Sequence, residues 1–237
     1  MYSKILVPLD GSTTAEKVLP CARYLAAKLK SPVELLVVVD LGEVAIHMAA
    51  EKARLFDTMI EGAVRHLTGY LRSIATTFPG ADVHCSVERG KPDDVIIEKA
   101  ATDKNMLVTM ATHARSGLNR FLLGSVAEKV LRGTTNPLLL IRATEDATTN
   151  GEAVFKRMIV PLDGSKVAES VLPMAAAMAN QLDLDVELVR AYHIPYNVSA
   201  DDWGLAENEE ELLKSVRDEA EEYLKKKSAD IKELGVT

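Results

Sequence analysis

Apolar residues in this chain come in short blocks set between longer amphipathic stretches. Ile5 to Leu9, Val33 to Val39, Met106 to Ala111 and Pro137 to Ile141 are nearly unbroken apolar runs. Runs of that length and composition suit parallel strands buried on both faces. Val83, Cys85 and Val87 alternate with polar residues and predict a further strand, ended by Gly90. Thr13 to Leu29 repeats its apolar positions at helical spacing, with Thr13 and Glu16 placed as a capping box. Val44 to Thr77 predicts a long helical region, and Pro92 stands at a first helical position before Val95-Ile96-Ile97. Val126 to Leu131 lies on a further helix. Strands alternating with helices predict βαβ units in a doubly wound parallel α/β sheet.

The pattern then repeats. Lys4 to Ser12 reads KILVPLDGS, and Arg157 to Ser165 reads RMIVPLDGS, an offset of 153 residues. The same offset pairs Ala15-Glu16 with Ala168-Glu169, Val33-Glu34-Leu35 with Val186-Glu187-Leu188, and Tyr70-Leu71 with Tyr223-Leu224. An ungapped offset over that distance reads as tandem duplication. Residues 1–143 form the first copy, the polar stretch 144–154 a linker, and 155–237 the first half of a second copy, with strand, helix, strand and helix. The expectation is a chain cut short of a second full copy. Strands supplied by another chain, or a half-domain docked on the first copy, are the alternatives.

Charge divides along the same boundary. Residues 1–143 carry 18 Lys/Arg against 15 Asp/Glu, and residues 144–237 carry 10 against 20. A mildly positive first copy suits a small anionic ligand but falls far short of a nucleic-acid footprint. No apolar run reaches the length of a membrane helix. Met1-Tyr2-Ser3-Lys4 leads straight into a strand, so no signal peptide is expected. Two distant cysteines, Cys21 and Cys85, build neither a disulfide framework nor a thiolate metal site. A cytoplasmic protein is expected.

Two segments sit at carboxyl ends of predicted strands, where open parallel sheets bind ligands. Pro8-Leu9-Asp10-Gly11-Ser12 follows the first strand. Asp10 can accept hydrogen bonds from a ribose or base there, or, with Ser12, satisfy amides of the following helix. Met110 to Ala114 leaves the Met106–Ala111 strand, and Gly124-Ser125 opens the next helix. A helix N-terminus there suits phosphate, and Ser125 with Glu128 also has capping-box spacing. Neither a Walker lysine loop, a Ser-His-Asp order, an H-E-x-x-H nor a C-x-x-C occurs. No catalytic or metal residue is therefore assigned.

The VPLDGS strand end, Val7 to Ser12, taken with THARSGLNRFLLGSVAEKVL, Thr112 to Leu131, resembles the universal stress protein family. The resemblance covers the first copy and the first half of the second. It implies α/β domains with strand order 3-2-1-4-5, often dimeric through the fifth strand, here Pro137 to Ile141. It also implies a stress-response role in which ATP or another adenine nucleotide, with or without magnesium, acts as a regulatory ligand rather than a substrate. ATP-binding relatives carry G-x2-G-x9-G-[ST], which falls here on Ala111, Ala114, Gly124 and Ser125. The implied contacts are Pro8, Leu9 and Asp10, Val38, Met110, Ala111, His113 and Ala114, then Gly124, Ser125, Val126 and Ala127. Ala111 and Ala114 depart from the pattern by replacing both loop glycines. A nucleotide-free dimeric interaction module of the same family is the alternative.

Overall fold

Five of the apolar segments become strands of one parallel sheet in the computed structural model, which describes residues 2–40, 50–113, 123–144, 149–192 and 206–236. The strands are β1 (Lys4–Leu9), β2 (Val33–Val39), β3 (Val83–Arg89), β4 (Met106–His113) and β5 (Leu138–Ala143). Their order across the sheet is β3-β2-β1-β4-β5, with every neighbouring pair parallel. The order reverses between β1 and β4, so both strands send their carboxyl ends to a crevice in the sheet's edge.

The chain divides into two compact units, Met1–Val154 and Phe155–Thr237. In the first, α1 (Thr13–Glu16) and α2 (Leu19–Leu29) follow β1, α3 (Ala50–Ala75) follows β2, α4 (Pro92–Ala101) follows β3 and α5 (Ser125–Gly133) follows β4. The single helix expected over Thr13 to Leu29 is two. Pro20 stands in the first turn of α2, where its ring excludes a continuous backbone ladder from α1. The Thr13–Glu16 capping box is not formed either. Ser12 is the N-cap, and its Oγ accepts from the Ala15 amide at 3.1 Å. Glu16 is drawn elsewhere, as shown below.

Leu6 and Leu36 on the sheet pack with Ile96 and Ala100 of α4 and Ala127 and Val130 of α5. Leu6, Leu36, Ala100 and Val130 are wholly buried. Each of the Leu and Val side chains contributes roughly 1.5–3 kcal/mol relative to exposure. Asp93 of α4 meets Lys129 of α5 at 3.1 Å, tying the two helices at their edge. Partial burial works against the Asp93 charge, but hydrogen bonding and the Lys129 ammonium hold its carboxyl below the usual carboxylate range.

The second unit holds β6 (Arg157–Pro161), α6 (Lys166–Glu169), α7 (Leu172–Leu182), β7 (Asp185–Val189) and α8 (Ala206–Glu233), with β6 and β7 paired in parallel. Its local geometry repeats the first unit at the 153-residue offset. Ser165 caps α6 through Ala168 at 3.1 Å, as Ser12 caps α1. Asp183 ends α7 with φ 57°, as Lys30 ends α2 with φ 51°. Arg157 pairs with Glu187 at 3.2 Å, where Lys4 pairs with Glu34 at 2.8 Å.

Candidate functional site

The β1–α1 turn starts from a geometric demand. Asp10 leaves a buried strand, and its Oδ1 accepts the Ser12 amide at 2.8 Å, closing an Asx turn over Gly11. Gly11 holds φ +81°, a conformation that side chains resist. The turn therefore fixes the Asp10 carboxylate at the carboxyl end of β1, with the residue itself exposed. Both Asp10 and Ser12 do satisfy helix-start amides, and that duty leaves the second carboxylate oxygen of Asp10 outside the turn.

Opposite it, α5 begins at Ser125 with Gly124 as N-cap and no side-chain cap hydrogen bond. The Ser125–Glu128 capping box is thus not made; Glu128 pairs with Arg132 instead, at 3.1 Å. The first amide to bond within the helix is that of Glu128, to the Gly124 carbonyl at 2.9 Å. The amides of Ser125, Val126 and Ala127 precede it at the positive end of the helix dipole. This start gives an anion donors in a convergent arrangement.

Between the two lies a cleft of about 220 Å³. Pro8, Leu9 and Asp10 at the β1 end and Met110 and Ala111 of β4 line it. Val38 of β2 lies on its floor, and Gly124, Ser125, Val126 and Ala127 close the α5 end. Ten of the twelve positions implied by the resemblance therefore line one cleft. His113 ends β4, in register with Ala143 of β5. Ala114 lies outside the described residues. Ala111 is an ordinary extended strand residue paired with Ile141, so its methyl carries no backbone strain.

Five further residues line the cleft that the sequence did not single out: Thr14 and Ala15 of α1, Leu36 of β2, and Pro92 and Ile96 of α4. Leu36 sits two residues before Val38 on the same strand face, and Ile96 sits four after Pro92 on one helix face, so the periodicities carried that signal. Leu36, Val38, Ile96 and Met110 make the floor apolar, while Asp10 and the α5 start are polar at opposite ends. Such a lining offers apolar surface together with a few polar groups that can orient a small ligand. Among the described residues, no cluster of His, Cys, Asp or Glu is arranged to hold a metal ion. His66 and His84 are exposed on α3 and β3. No helix among the described residues is long and apolar enough to cross a membrane.

A parallel sheet of order 3-2-1-4-5 with a cleft at its switch point defines a doubly wound α/β domain. The chain belongs to the Universal stress protein family, whose profile matches residues 1–142. Universal stress protein MJ0531 of Methanocaldococcus jannaschii is 28% identical over 142 residues, covering 60% of this chain and 83% of that protein. The fold is that of the universal stress protein UspA from Lactobacillus plantarum, with a TM-score of 0.50 and 20% identity over 60% of this chain and 98% of that one. A universal stress protein from Archaeoglobus fulgidus DSM 4304 shares the fold over 90% of this chain and 72% of its own, with a TM-score of 0.56 and 19% identity.

Proposed function

We propose that the first unit binds ATP or a related adenine nucleotide as a regulatory ligand. The observation that carries this reading is the convergence of Asp10 and the uncapped start of α5 on one apolar-floored cleft. The residues fit the ligand in kind. Val38 and Met110 offer a surface for the base, Asp10 an acceptor for ribose hydroxyls, and the Ser125–Ala127 amides with the Ser125 hydroxyl a cradle for phosphate.

The role is regulatory rather than catalytic. Among the described residues, the cleft presents no lysine to the phosphates and no paired carboxylates for a metal, the parts on which phosphoryl transfer depends. Nucleotide occupancy then acts as a signal, in a cytoplasmic stress-response protein whose two cysteines are both free thiols. A second copy pairs along the outer edge of β5, which ends the sheet with half-buried Leu138 to Ile141.

Thermal unfolding with and without ATP tests the reading. The wild type is expected to melt higher with ATP, and Asp10→Ala and Ser125→Ala to lose that rise. No rise in the wild type, and no adenine absorbance in the purified chain, would favour the nucleotide-free module.

A further inference from the structure

The one-turn helix α1 supplies Thr14 and Ala15 to the cleft wall yet buries none of its four residues. A helix that short has no stability of its own, so its placement rests on tethers. Ser12 caps its start. At its end the Tyr70 hydroxyl, from the C-terminal half of α3, donates to Glu16 Oε1 at 2.9 Å. The next residue, Lys17, donates to the Thr144 carbonyl beyond β5.

We propose that Tyr70 is a positioning residue for the cleft: through Glu16 it holds α1 against the sheet and so sets the wall that a nucleotide meets. The inference rests on the nucleotide reading above. Its second support comes from the repeat. In the second unit Tyr223 donates to Glu169 at 3.1 Å, but that clamp is reinforced. Lys227 pairs with Glu169 at 3.1 Å, and the Arg190 guanidinium lies 4.8 Å over the Tyr223 ring. At the 153-residue offset the first unit has Ile74 in place of Lys227 and Val37 in place of Arg190. Neither aliphatic side chain can hold a carboxylate or replace a lost hydroxyl. The Glu16 clamp of the first unit therefore depends on the Tyr70 hydroxyl far more than its counterpart depends on Tyr223.

Burial, then the bond to Glu16 and the negative charges of Glu16 and Asp10, all push the Tyr70 phenol up. It stays protonated across the working range, with its proton committed to Glu16.

The test compares ATP affinity by calorimetric titration with hydrogen exchange at the α1 amides, on the full chain. Tyr70→Phe and Glu16→Ala are each expected to weaken ATP binding about fivefold, the scale of one hydrogen bond to a charged group acting through a neighbour. Their double variant should lose no more than either alone. Glu16→Gln, whose amide oxygen still accepts from Tyr70, should stay near wild type, and Tyr223→Phe should leave affinity unchanged. Exchange at the Glu16 and Lys17 amides should quicken in Tyr70→Phe. Wild-type affinity in Tyr70→Phe, or unchanged exchange at α1, overturns the positioning role while leaving nucleotide binding standing. An absence of ATP binding by the wild type overturns both.

Discussion

Lys99 Nζ on α4 lies 2.7 Å from Glu34 Oε1 on β2, and Lys4 Nζ on β1 lies 2.8 Å from the other oxygen of the same carboxylate. Ser86 on β3 donates to Oε1 at 3.2 Å, and Lys99 also reaches Glu88 at 3.1 Å. Glu34 is 3% exposed. The cluster joins three strands and a helix. Burial works against the Glu34 charge, but the bonds and charges of Lys4 and Lys99 hold its carboxyl below the usual range. For Lys99, burial lowers the ammonium's pKa, but the bonds to Glu34 and Glu88 more than offset it, leaving the pKa raised.

Glu34→Gln is expected to cost about 2–3 kcal/mol, below the range for breaking a fully buried pair because both lysines remain partly exposed. The folded pKa of Glu34 lies below its unfolded value, so its contribution is whole above the unfolded pKa and fades as pH falls through the folded one. The raised pKa of Lys99 gives the opposite limb: its contribution is whole below the unfolded lysine pKa and is lost as pH rises through the folded one. Urea unfolding of wild type and variant at neutral and acid pH checks this. The gap between them should narrow in acid, and a constant gap would contradict the assignment.

Gly11 and Gly164 hold φ of +81° and +88° in the two Asp-Gly-Ser turns. A Cβ added at Gly11 would meet nothing within 4 Å, so the cost of Gly11→Ala is purely that of the backbone. Denaturant midpoints should register a loss of roughly 1 kcal/mol for Gly11→Ala. A neutral substitution would show that the turn relaxes at no cost.

Thr109 is wholly buried in β4, and its hydroxyl has no hydrogen-bond partner among the described residues. Thr109→Val keeps the shape and removes that desolvated group. Calorimetric melting should show a gain of about 1 kcal/mol. A loss of stability would mean that the hydroxyl is bonded after all.

Turnover offers a different check. If the ligand is regulatory, phosphate release from ATP should be as slow in the wild type as in Ser125→Ala. A clear drop in the variant would make the cleft a hydrolytic site and reverse the functional reading.

The sheet was legible because its signal is local: unbroken apolar runs admit few structures other than buried parallel strands, and β4 and β5 differ from expectation only at their ends. The cleft was legible through Asp10, Gly124 and Ser125, whose residue types answer the needs of a strand end and a helix start. What the sequence hid depends on side chains meeting across the fold. Glu16 looked like a helix cap, but Ser12 stands one residue nearer the turn, and Tyr70 claims Glu16 from 54 positions away. Glu34 lies inside an apolar strand run, and its partners Lys4 and Lys99 come from separate elements. Only the repeat hinted at the Tyr70 clamp, by keeping both Tyr and Glu at the 153-residue offset.

Titration of the full chain with ATP by isothermal calorimetry tests the central claim most directly. The first unit has both the Asp-Gly-Ser turn and the α5 start, whereas the described second unit has the turn alone. The account predicts one ATP bound per chain, with binding lost in Ser125→Ala and kept in Ser165→Ala. No heat of binding in the wild type, or binding that survives Ser125→Ala undiminished, would contradict it.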